Sequence, residues 1–242
     1  MAKQRLDIML AARGLVASRS QAESWIKLGK VLVDGRPATK SGQTVADTAR
    51  LEVVADEQYV SRAGLKLASV AKMLQVDFDG KTVLDIGSST GGFTDYSLRR
   101  GASKVYAVDV GTDQLHPSLR GNERIELHEK TDIRDFYLDV APDIIVMDVS
   151  FISLREILPH VARSLSDKNT QIVAMVKPQF EAGKHQVNKG VIKNDSVRRQ
   201  ILKDFEMWAK DFFIIIDKRD SEVAGTKGNR ERFYLLKLAT KH

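Results

Sequence analysis

The sequence contains no cysteine, and this absence removes several kinds of chemistry. Without thiols the chain can form neither a disulfide framework nor a thiolate metal site, which fits a reducing compartment such as the cytoplasm. Reactions that depend on a cysteine nucleophile attacking a pyrimidine ring are excluded as well. The five histidines show no spacing typical of metal ligands, so we predict no metal site.

Long apolar segments are also missing. The longest uninterrupted apolar runs hold about five residues, such as residues 212–216, whereas a membrane-spanning helix needs about 20. The first ten residues, MAKQRLDIML, lack the apolar core of a signal peptide. We therefore expect a cytoplasmic protein that does not enter a membrane.

What the chain does contain is an uneven distribution of charge. Its 242 residues carry a net charge of +6. Residues 1–50 hold nine Lys/Arg against four Asp/Glu, a net charge of +5, while residues 51–242 hold 29 against 28. A basic module beside a nearly neutral one suggests that binding to a polyanion, such as a nucleic acid, is separated from chemistry.

The first fifty residues predict two helices followed by strands. Apolar residues recur at helical spacing over 5–13, and the pattern at Ser18–Gln21 is typical of a capping box opening a second helix that ends near Leu28. A glycine follows each helix. A hairpin turning at Asp34–Gly35 and a short strand near Leu51–Val54 complete the α-α-β unit.

Basic residues flank these helices and the hairpin, and such charges suit the phosphates of a structured RNA. The candidate RNA-binding residues are Arg5, Arg19, Lys27, Lys30 and Lys40. The pattern RLD, then SR, then GKVLVDG and a lysine resembles the S4 domain, a small RNA-binding module. That resemblance covers most of residues 3–50 and implies an RNA partner.

From residue 81 the sequence alternates short apolar strands with helical stretches, which predicts an α/β fold with a parallel, doubly wound sheet. We therefore divide the chain into an RNA-binding domain with its linker, residues 1–60, and a second domain, residues 61–242. Ligands of such folds bind beyond the carboxyl ends of the strands. The predicted strands cover residues 81–87, 105–110, 143–149, 171–176, 212–216 and 232–238.

A glycine-rich loop follows the first of these strands in DIGSSTGGFTD, residues 85–95. It is neither a Walker loop, because no Gly-Lys-Ser/Thr follows, nor the dinucleotide fingerprint, because its spacing is G-x-x-x-G-G. Its glycines can bring the backbone close to a ligand. The candidate cofactor contacts in this segment are Asp85, Gly87, Ser88, Thr90, Gly91, Gly92 and Phe93.

Two further acids suit a nucleoside. Asp109 ends the second strand, where a carboxylate can accept both ribose hydroxyls. Asp132 lies where a third loop would reach adenine, although it could equally be a helix cap. Together with the glycine loop, these acids indicate a class I methyltransferase that uses S-adenosylmethionine, and a nicotinamide enzyme of the same broad fold is the alternative.

Four segments place one ionisable residue each at the ligand-facing edge of the predicted sheet: Lys66, Asp148, Lys177 and Glu231. Charged groups that are buried away from water need ion-pair partners, and lysines that lie between acidic residues can form such pairs. Lys177 is the candidate general base that activates a ribose 2′-hydroxyl, and Asp148 would orient it. Lys66 would bind the adjacent phosphate or the hydroxyl, and Glu231 would hold one lysine in place.

These four segments resemble the Lys-Asp-Lys-Glu tetrad of FtsJ-like ribose 2′-O-methyltransferases. With the S4 domain and the segments SRAGLKL, DVSFISL, VKPQFE and KGNRE, nearly the whole chain is similar to the TlyA family, whose members are often labelled hemolysins. The resemblance implies methylation of ribosomal RNA at cytidine 2′-hydroxyls. The FtsJ loop usually contains a proline where this chain has Ser88–Thr90, which leaves that loop's contacts open.

Three other functions stay open. Asp148–Phe151 stands where base N-methyltransferases carry Asp/Asn-Pro-Pro-Tyr/Phe, but both prolines are missing here. A membrane-lysing protein would fit the hemolysin label, although no strongly amphipathic basic helix is evident. A ribosome-assembly chaperone that keeps the fold but only binds RNA is the third possibility.

Overall fold

The computed structural model of the protein describes most of the chain. The described residues are 3–16, 19–27, 29–54, 59–183, 191–192, 194–223 and 228–239, and only the backbone is described for Ser20, Ser24 and Lys27. The capping residue predicted at Ser18 and the helix end predicted at Leu28 lie outside the described residues.

The N-terminal part contains two helices and two small sheets. Its elements are β1 (Lys3–Arg5), α1 (Leu6–Ala12), α2 (Arg19–Lys27), β2 (Val31–Val33), β3 (Arg36–Pro37), β4 (Thr44–Ala46) and β5 (Leu51–Val53). Strand β1 pairs antiparallel with β4, and β2 lies between β3 and β5.

Backbone conformation explains the turns of this domain. Gly14 and Gly29, which follow the two helices, both have φ of +68°, so the predicted glycine ends are confirmed. Asp34 and Gly35 have φ of +50° and +76°, as a two-residue hairpin turn requires. Strands β1 and β4 are absent from the sequence-based prediction because neither forms an apolar run: β1 reads KQR and is exposed throughout, and β4 reads TVA.

The second part is built around a seven-stranded sheet. Its strands are β6 (Thr82–Ile86), β7 (Lys104–Val108), β8 (Ile125–His128), β9 (Ile144–Met147), β10 (Gln171–Val176), β11 (Phe213–Asp220) and β12 (Arg232–Leu238). Its helices are α3 (Arg62–Ala71), α4 (Gly92–Arg99), α5 (Leu158–His160), α6 (Pro178–Glu181) and α7 (Asp195–Ala209). A π-helical turn, Val161–Leu165, continues α5, and single 3₁₀ turns cover Pro117–Leu119, Ile133–Asp135 and Leu154–Glu156.

The strand order is β11-β12-β10-β9-β6-β7-β8. Strands β6 to β10 are mutually parallel, which confirms the α/β fold predicted from the sequence. The chain runs outward from β6 to β8 and then crosses back to β9. The topological switch point, where the order of successive strands reverses direction across the sheet, therefore lies between β6 and β9. A ligand site is expected beyond the carboxyl ends of these two strands.

Two features of the sheet differ from the sequence-based prediction. Strand β12 is antiparallel to both β10 and β11, so the last two strands form a hairpin rather than a parallel continuation. Their apolar runs look like those of the parallel strands, and the sequence pattern does not distinguish the two directions. The edge strand β8 is absent from the prediction because its sequence, IELH, is half polar.

Helices cover both faces of the sheet. Val83 and Ile144 face α3 and α4, whereas their neighbours Leu84 and Ile145 face α5 and α7. This alternation on strands that are buried on both sides explains why they appear as continuous apolar runs in the sequence. None of the described helices is both long and apolar enough to cross a membrane.

The residues that lead into α3, Tyr59 and Val60, are docked on both parts of the molecule. The carbonyl of Tyr59 accepts a hydrogen bond from Gln21 of α2 at 3.1 Å, and the amide of Val60 donates to Asp95 of α4 at 2.9 Å. The buried Tyr59 ring lies 5.6 Å from that of Tyr96. These contacts attach the N-terminal domain to the helix that follows the glycine loop.

Candidate active site

Four strands deliver polar residues to one edge of the sheet. Asp85 lies in β6, while Asp109, Asp148 and Lys177 follow β7, β9 and β10 directly. Because parallel strands end at the same edge, these residues surround the switch point. Two adjoining cavities open there, and Gly87, Asp148 and other residues line both.

The glycines of the loop are required mainly by protein packing. Gly87 has φ of +80°, and a Cβ there would approach the Asp148 carbonyl oxygen at 3.0 Å. A Cβ on Gly91 would lie 2.5 Å from Leu119, and one on Gly92 would lie 2.2 Å from the Ser61 hydroxyl. The loop therefore packs closely on its neighbours, a reason that the sequence pattern alone does not supply.

The smaller cavity has a volume of about 140 Å³. Its wall is formed by Ala63, Asp85, Gly87, Ser88, Ser89, Thr90, Phe93, Asp148, Ser150 and Lys177. Oδ1 of Asp85 and Oγ of Ser88 are buried and have no hydrogen-bond partner among the described residues. Unpaired buried polar atoms are rare in folded proteins, and here both belong to residues that face one cavity.

Burial also changes the acidity of Asp85. Because the buried carboxyl loses its hydration, its pKa is raised to about 7. The Thr94 hydroxyl, which donates to Oδ2 at 2.6 Å, lowers the pKa and so offsets part of this effect. The negative charge of Asp148 raises the pKa further. A cationic group placed in the small cavity would offset this effect by stabilising the ionised carboxylate.

The larger cavity has a volume of about 610 Å³ and extends along the ends of β6 and β7. Asp109 lies in its wall, where Oδ2 accepts from the amide of Ser89 at 2.8 Å and Oδ1 accepts from the amide of Gly111 at 2.7 Å. These bonds orient the carboxylate and leave each oxygen with a second lone pair for a ligand hydroxyl.

Asp132 lies in the wall of the same cavity. Its carboxylate accepts from the backbone and the guanidinium of Arg134 at 2.6–3.0 Å, and these bonds lower its pKa to about 2. It thus caps the 3₁₀ turn Ile133–Asp135 and still faces the cavity. The position of Asp132 thus fits both interpretations of the sequence, as a residue that faces the ligand cavity and as a helix cap.

The four predicted catalytic residues form two separate ion pairs. Lys177 Nζ lies 2.6 Å from Oδ1 of Asp148, and Lys66 Nζ lies 2.6 Å from Oε2 of Glu231. Both lysine side chains are about nine-tenths buried. Lys177 and Asp148 line the small cavity, whereas Lys66 and Glu231 are absent from the lining of both cavities.

Two loops meet beside Lys177. Phe151, which follows β9, has φ of +67° and is 93% exposed, and its ring lies 5.4 Å from that of Phe180 in α6. Glu181 in α6 ties the loops together, because its carboxylate accepts from the Ser153 hydroxyl at 2.6 Å and from the Leu154 amide at 2.7 Å. Burial raises the pKa of Glu181.

Comparison with known proteins places this arrangement in a family. The sequence model of the FtsJ-like methyltransferases matches residues 59–238, and that of the S4 domain matches residues 4–51. A relative from Mycobacterium tuberculosis, named 16S/23S rRNA (cytidine-2′-O)-methyltransferase TlyA, is 38% identical over 98% of this chain and 91% of its own length. The chain belongs to the TlyA family of FtsJ-like methyltransferases.

Two further relatives support this family assignment. A Campylobacter jejuni protein named 23S rRNA (cytidine-2′-O)-methyltransferase TlyA is 42% identical over 95% of this chain and 98% of its own length. The solved structure of a candidate hemolysin from Streptococcus thermophilus superposes with a TM-score of 0.74 at 36% identity, covering 100% of this chain and 90% of that one. Methyltransferase and hemolysin names therefore occur on proteins of one architecture.

The S4 domain of this TlyA-family chain presents some of its predicted RNA-binding residues around one acid. Arg5 and Arg19 donate to the buried carboxylate of Asp7 at 2.9–3.0 Å, and the Arg5 bond is the main cause of its pKa of about 2. Lys30 and Lys40 are exposed. The side chain of Lys27 lies outside the described part of the chain.

Several residues that belong to this site are not predicted by the sequence. Ser89, Ser150 and Glu181 make some of its shortest hydrogen bonds. Ser89 and Ser150 stand inside the segments DIGSSTGGFTD and DVSFISL, but a serine in a loop has no spacing signal of its own. Glu181 follows Lys177 by four residues, and its role depends on a loop that is distant in sequence.

Proposed function

We propose that this protein is an S-adenosylmethionine-dependent ribose 2′-O-methyltransferase that acts on ribosomal RNA, with cytidine as the target nucleotide. The observation that carries the proposal is the Lys177–Asp148 pair in the wall of a cavity that also contains unpaired Asp85 and Ser88 atoms. The names of the TlyA relatives support the RNA substrate and the sugar position. A ribosomal substrate would place the protein in the cytoplasm.

The residues of the two cavities fit the cofactor. Asp85 and Ser88 offer unpaired acceptor and donor atoms for the charged methionine end, which is zwitterionic. Asp109 would accept the ribose hydroxyls, and Asp132 would face the adenine in the larger cavity. The backbone at Gly87 and the side chains of Thr90 and Phe93 would line the path between these ends.

Lys177 would act as the general base. When bound, S-adenosylmethionine supplies an electrophilic methyl group on a sulfonium. During the transfer of that methyl to the 2′-oxygen, Nζ of Lys177 would take the hydroxyl proton, and Asp148, at 2.6 Å, would stabilise the resulting ammonium.

The remaining groups would hold the RNA. Lys66 would contact the phosphate or hydroxyl next to the target, and Glu231 would hold its ammonium in place. The exposed Phe151 ring, paired with Phe180, offers a surface on which an unstacked base could lie. In the S4 domain, Arg5, Arg19, Lys27, Lys30 and Lys40 would contact phosphates.

The test is transfer of labelled methyl groups to purified ribosomal subunits, followed by nuclease digestion to locate the product. We expect 2′-O-methylcytidine. Lys177→Ala should retain cofactor affinity and lose the rate by about 100-fold or more, the scale of general-base catalysis. Lys168→Ala is the matched control, because this exposed lysine precedes the opposite end of the same strand, β10.

Other outcomes identify the competing functions. A methyl group on an exocyclic amine would show a base N-methyltransferase, and tight RNA binding without cofactor affinity would show a binding-only assembly factor. Leakage of liposomes caused by the pure protein, and unaffected by Lys177→Ala, would support a membrane-lysing function. Full methyl transfer by Lys177→Ala would refute the role given to that lysine.

A further inference from the structure

The amine of Lys177 has a second close partner besides Asp148. Nζ donates to the hydroxyl oxygen of Ser150 at 2.6 Å, the same distance that separates it from Oδ1 of Asp148. Ser150 is exposed and lines both cavities, so it stands between the places assigned to the two ends of the cofactor. Its hydrogen bond with the lysine therefore lies at the point where the cavities meet.

One hydrogen bond, to Ser150, and one close charge contact, with Asp148, together define the orientation of the Lys177 amine. An unprotonated lysine amine has two N–H bonds and one lone pair. The hydrogen bond to Ser150 fixes the direction of one N–H bond, and the 2.6 Å contact with the Asp148 carboxylate limits rotation of the amine, so the lone pair is held in one direction. With Asp148 alone, the amine could rotate about its terminal bond and the lone pair would sample many directions.

The loop that carries Ser150 is itself fixed to the segment that carries Lys177. Glu181 lies four residues after Lys177, and its carboxylate binds the Ser153 hydroxyl and the Leu154 amide. The two segments are therefore joined at two places, Lys177 to Ser150 and Glu181 to Ser153. Because the Glu181 hydrogen bonds already secure the loop, the Ser150 hydroxyl is not needed for that purpose.

We propose that Ser150 is a positioning residue that aims the Lys177 amine at the 2′-hydroxyl of the RNA. This inference rests on the proposed function, because it assumes that Lys177 accepts the hydroxyl proton. Ser150 acts through the lysine and takes no proton from the substrate. Its removal should slow the chemical step and leave cofactor binding unchanged.

The test is single-turnover methyl transfer to ribosomal RNA at saturating cofactor and RNA. Ser150→Ala should be slower by about tenfold, the scale of one hydrogen bond to a charged or reacting group, with a cofactor Kd within about twofold of the wild type. Ser150→Thr, which keeps the hydroxyl, should recover most of the rate. Ser103→Ala is the control, since it removes an exposed hydroxyl at the opposite end of the sheet.

A double variant separates positioning from a general structural effect. If Ser150 acts through Lys177, Ser150→Ala should cause no further loss in a Lys177→Ala background. A further tenfold loss in that background, or a wild-type rate for Ser150→Ala alone, would overturn the proposal for Ser150. Those results would leave the proposed function intact, whereas full activity of Lys177→Ala would refute the role given to that lysine and, with it, the proposal for Ser150.

Discussion

Charged residues are used in opposite ways in the two parts of the molecule. In the S4 domain, Arg5 and Arg19 share one buried carboxylate, but their side chains are 48% and 56% exposed. At the sheet edge, the side chains of Lys66 and Lys177 are only 10% and 9% exposed, and each is paired at 2.6 Å. The first arrangement keeps positive charge available to a partner, and the second keeps the lysine nitrogens and their carboxylate partners away from water.

This difference in exposure is what the proposed separation of RNA binding from chemistry requires. Exposed cations attract phosphates over a distance, and their contribution falls as salt concentration rises. Buried pairs are screened much less, and each partner depends on the other. Substitutions in the two regions should therefore differ in what they change and in how salt affects it.

The largest effect is expected at the pair that does not line a cavity. Glu231→Gln leaves the Lys66 ammonium buried beside a neutral amide, and losing one partner of a buried pair costs about 3 kcal/mol. Thermal or denaturant unfolding should show this loss for Glu231→Gln. An unfolding free energy equal to that of the wild type would mean that the pair is hydrated and that the contrast between the regions is overstated.

A smaller effect is expected for two exposed lysines of the S4 domain, Lys30 and Lys40, which do not contact the buried Asp7. The double variant Lys30→Ala, Lys40→Ala should bind ribosomal RNA about tenfold more weakly at low salt. The magnitude of the slope of log K against log salt should decrease by about 2, because each lysine would no longer neutralise a phosphate. Cofactor affinity, measured in parallel by calorimetry, should not change. An unchanged salt slope would place the RNA-binding surface elsewhere in the domain.

The smallest effect concerns the pH dependence of cofactor binding. Burial raises the pKa of Asp85 to about 7, so this carboxyl is largely protonated below that pH and ionised above it. The ammonium group of the cofactor's methionine end favours the ionised form, so affinity should rise as pH increases. We expect about a threefold tighter Kd at pH 7.5 than at pH 6.5.

Asp85→Asn provides the control for that measurement. The amide cannot ionise, so its weaker cofactor binding should be flat across the same range. A wild-type Kd that is equally flat would show that Asp85 stays in one protonation state. The prediction for Asp85 would then be wrong, whereas the roles proposed for Lys66 and Lys177 would not be affected.

Much of the fold is predictable because buried strands form continuous apolar runs in the sequence. The strand predicted over residues 171–176 has the same bounds in the structure. The direction of β12 is not predictable, since its pairing depends on neighbours far along the chain. The domain boundary at residue 60 stays a prediction, because the apolar core runs continuously from the S4 domain through Tyr59 into α3.

The site is predictable to the extent that its residues follow strands. Asp109, Asp148 and Lys177 stand directly after β7, β9 and β10, where their position in the sequence indicates the ligand edge. The hydrogen bonds of Ser150 and Glu181 join segments about 27 residues apart, and no local pattern reports them. The functions of the predicted catalytic, cofactor and RNA residues stay predictions until variants are measured.

The most direct test of the account is a crystal structure of the protein with S-adenosylmethionine bound. We expect the methionine end beside Asp85 and Ser88, the ribose on Asp109, and the transferable methyl facing the corner formed by Asp148, Ser150 and Lys177. A methyl group directed away from Lys177, or a cofactor held at some other part of the protein, would contradict the account.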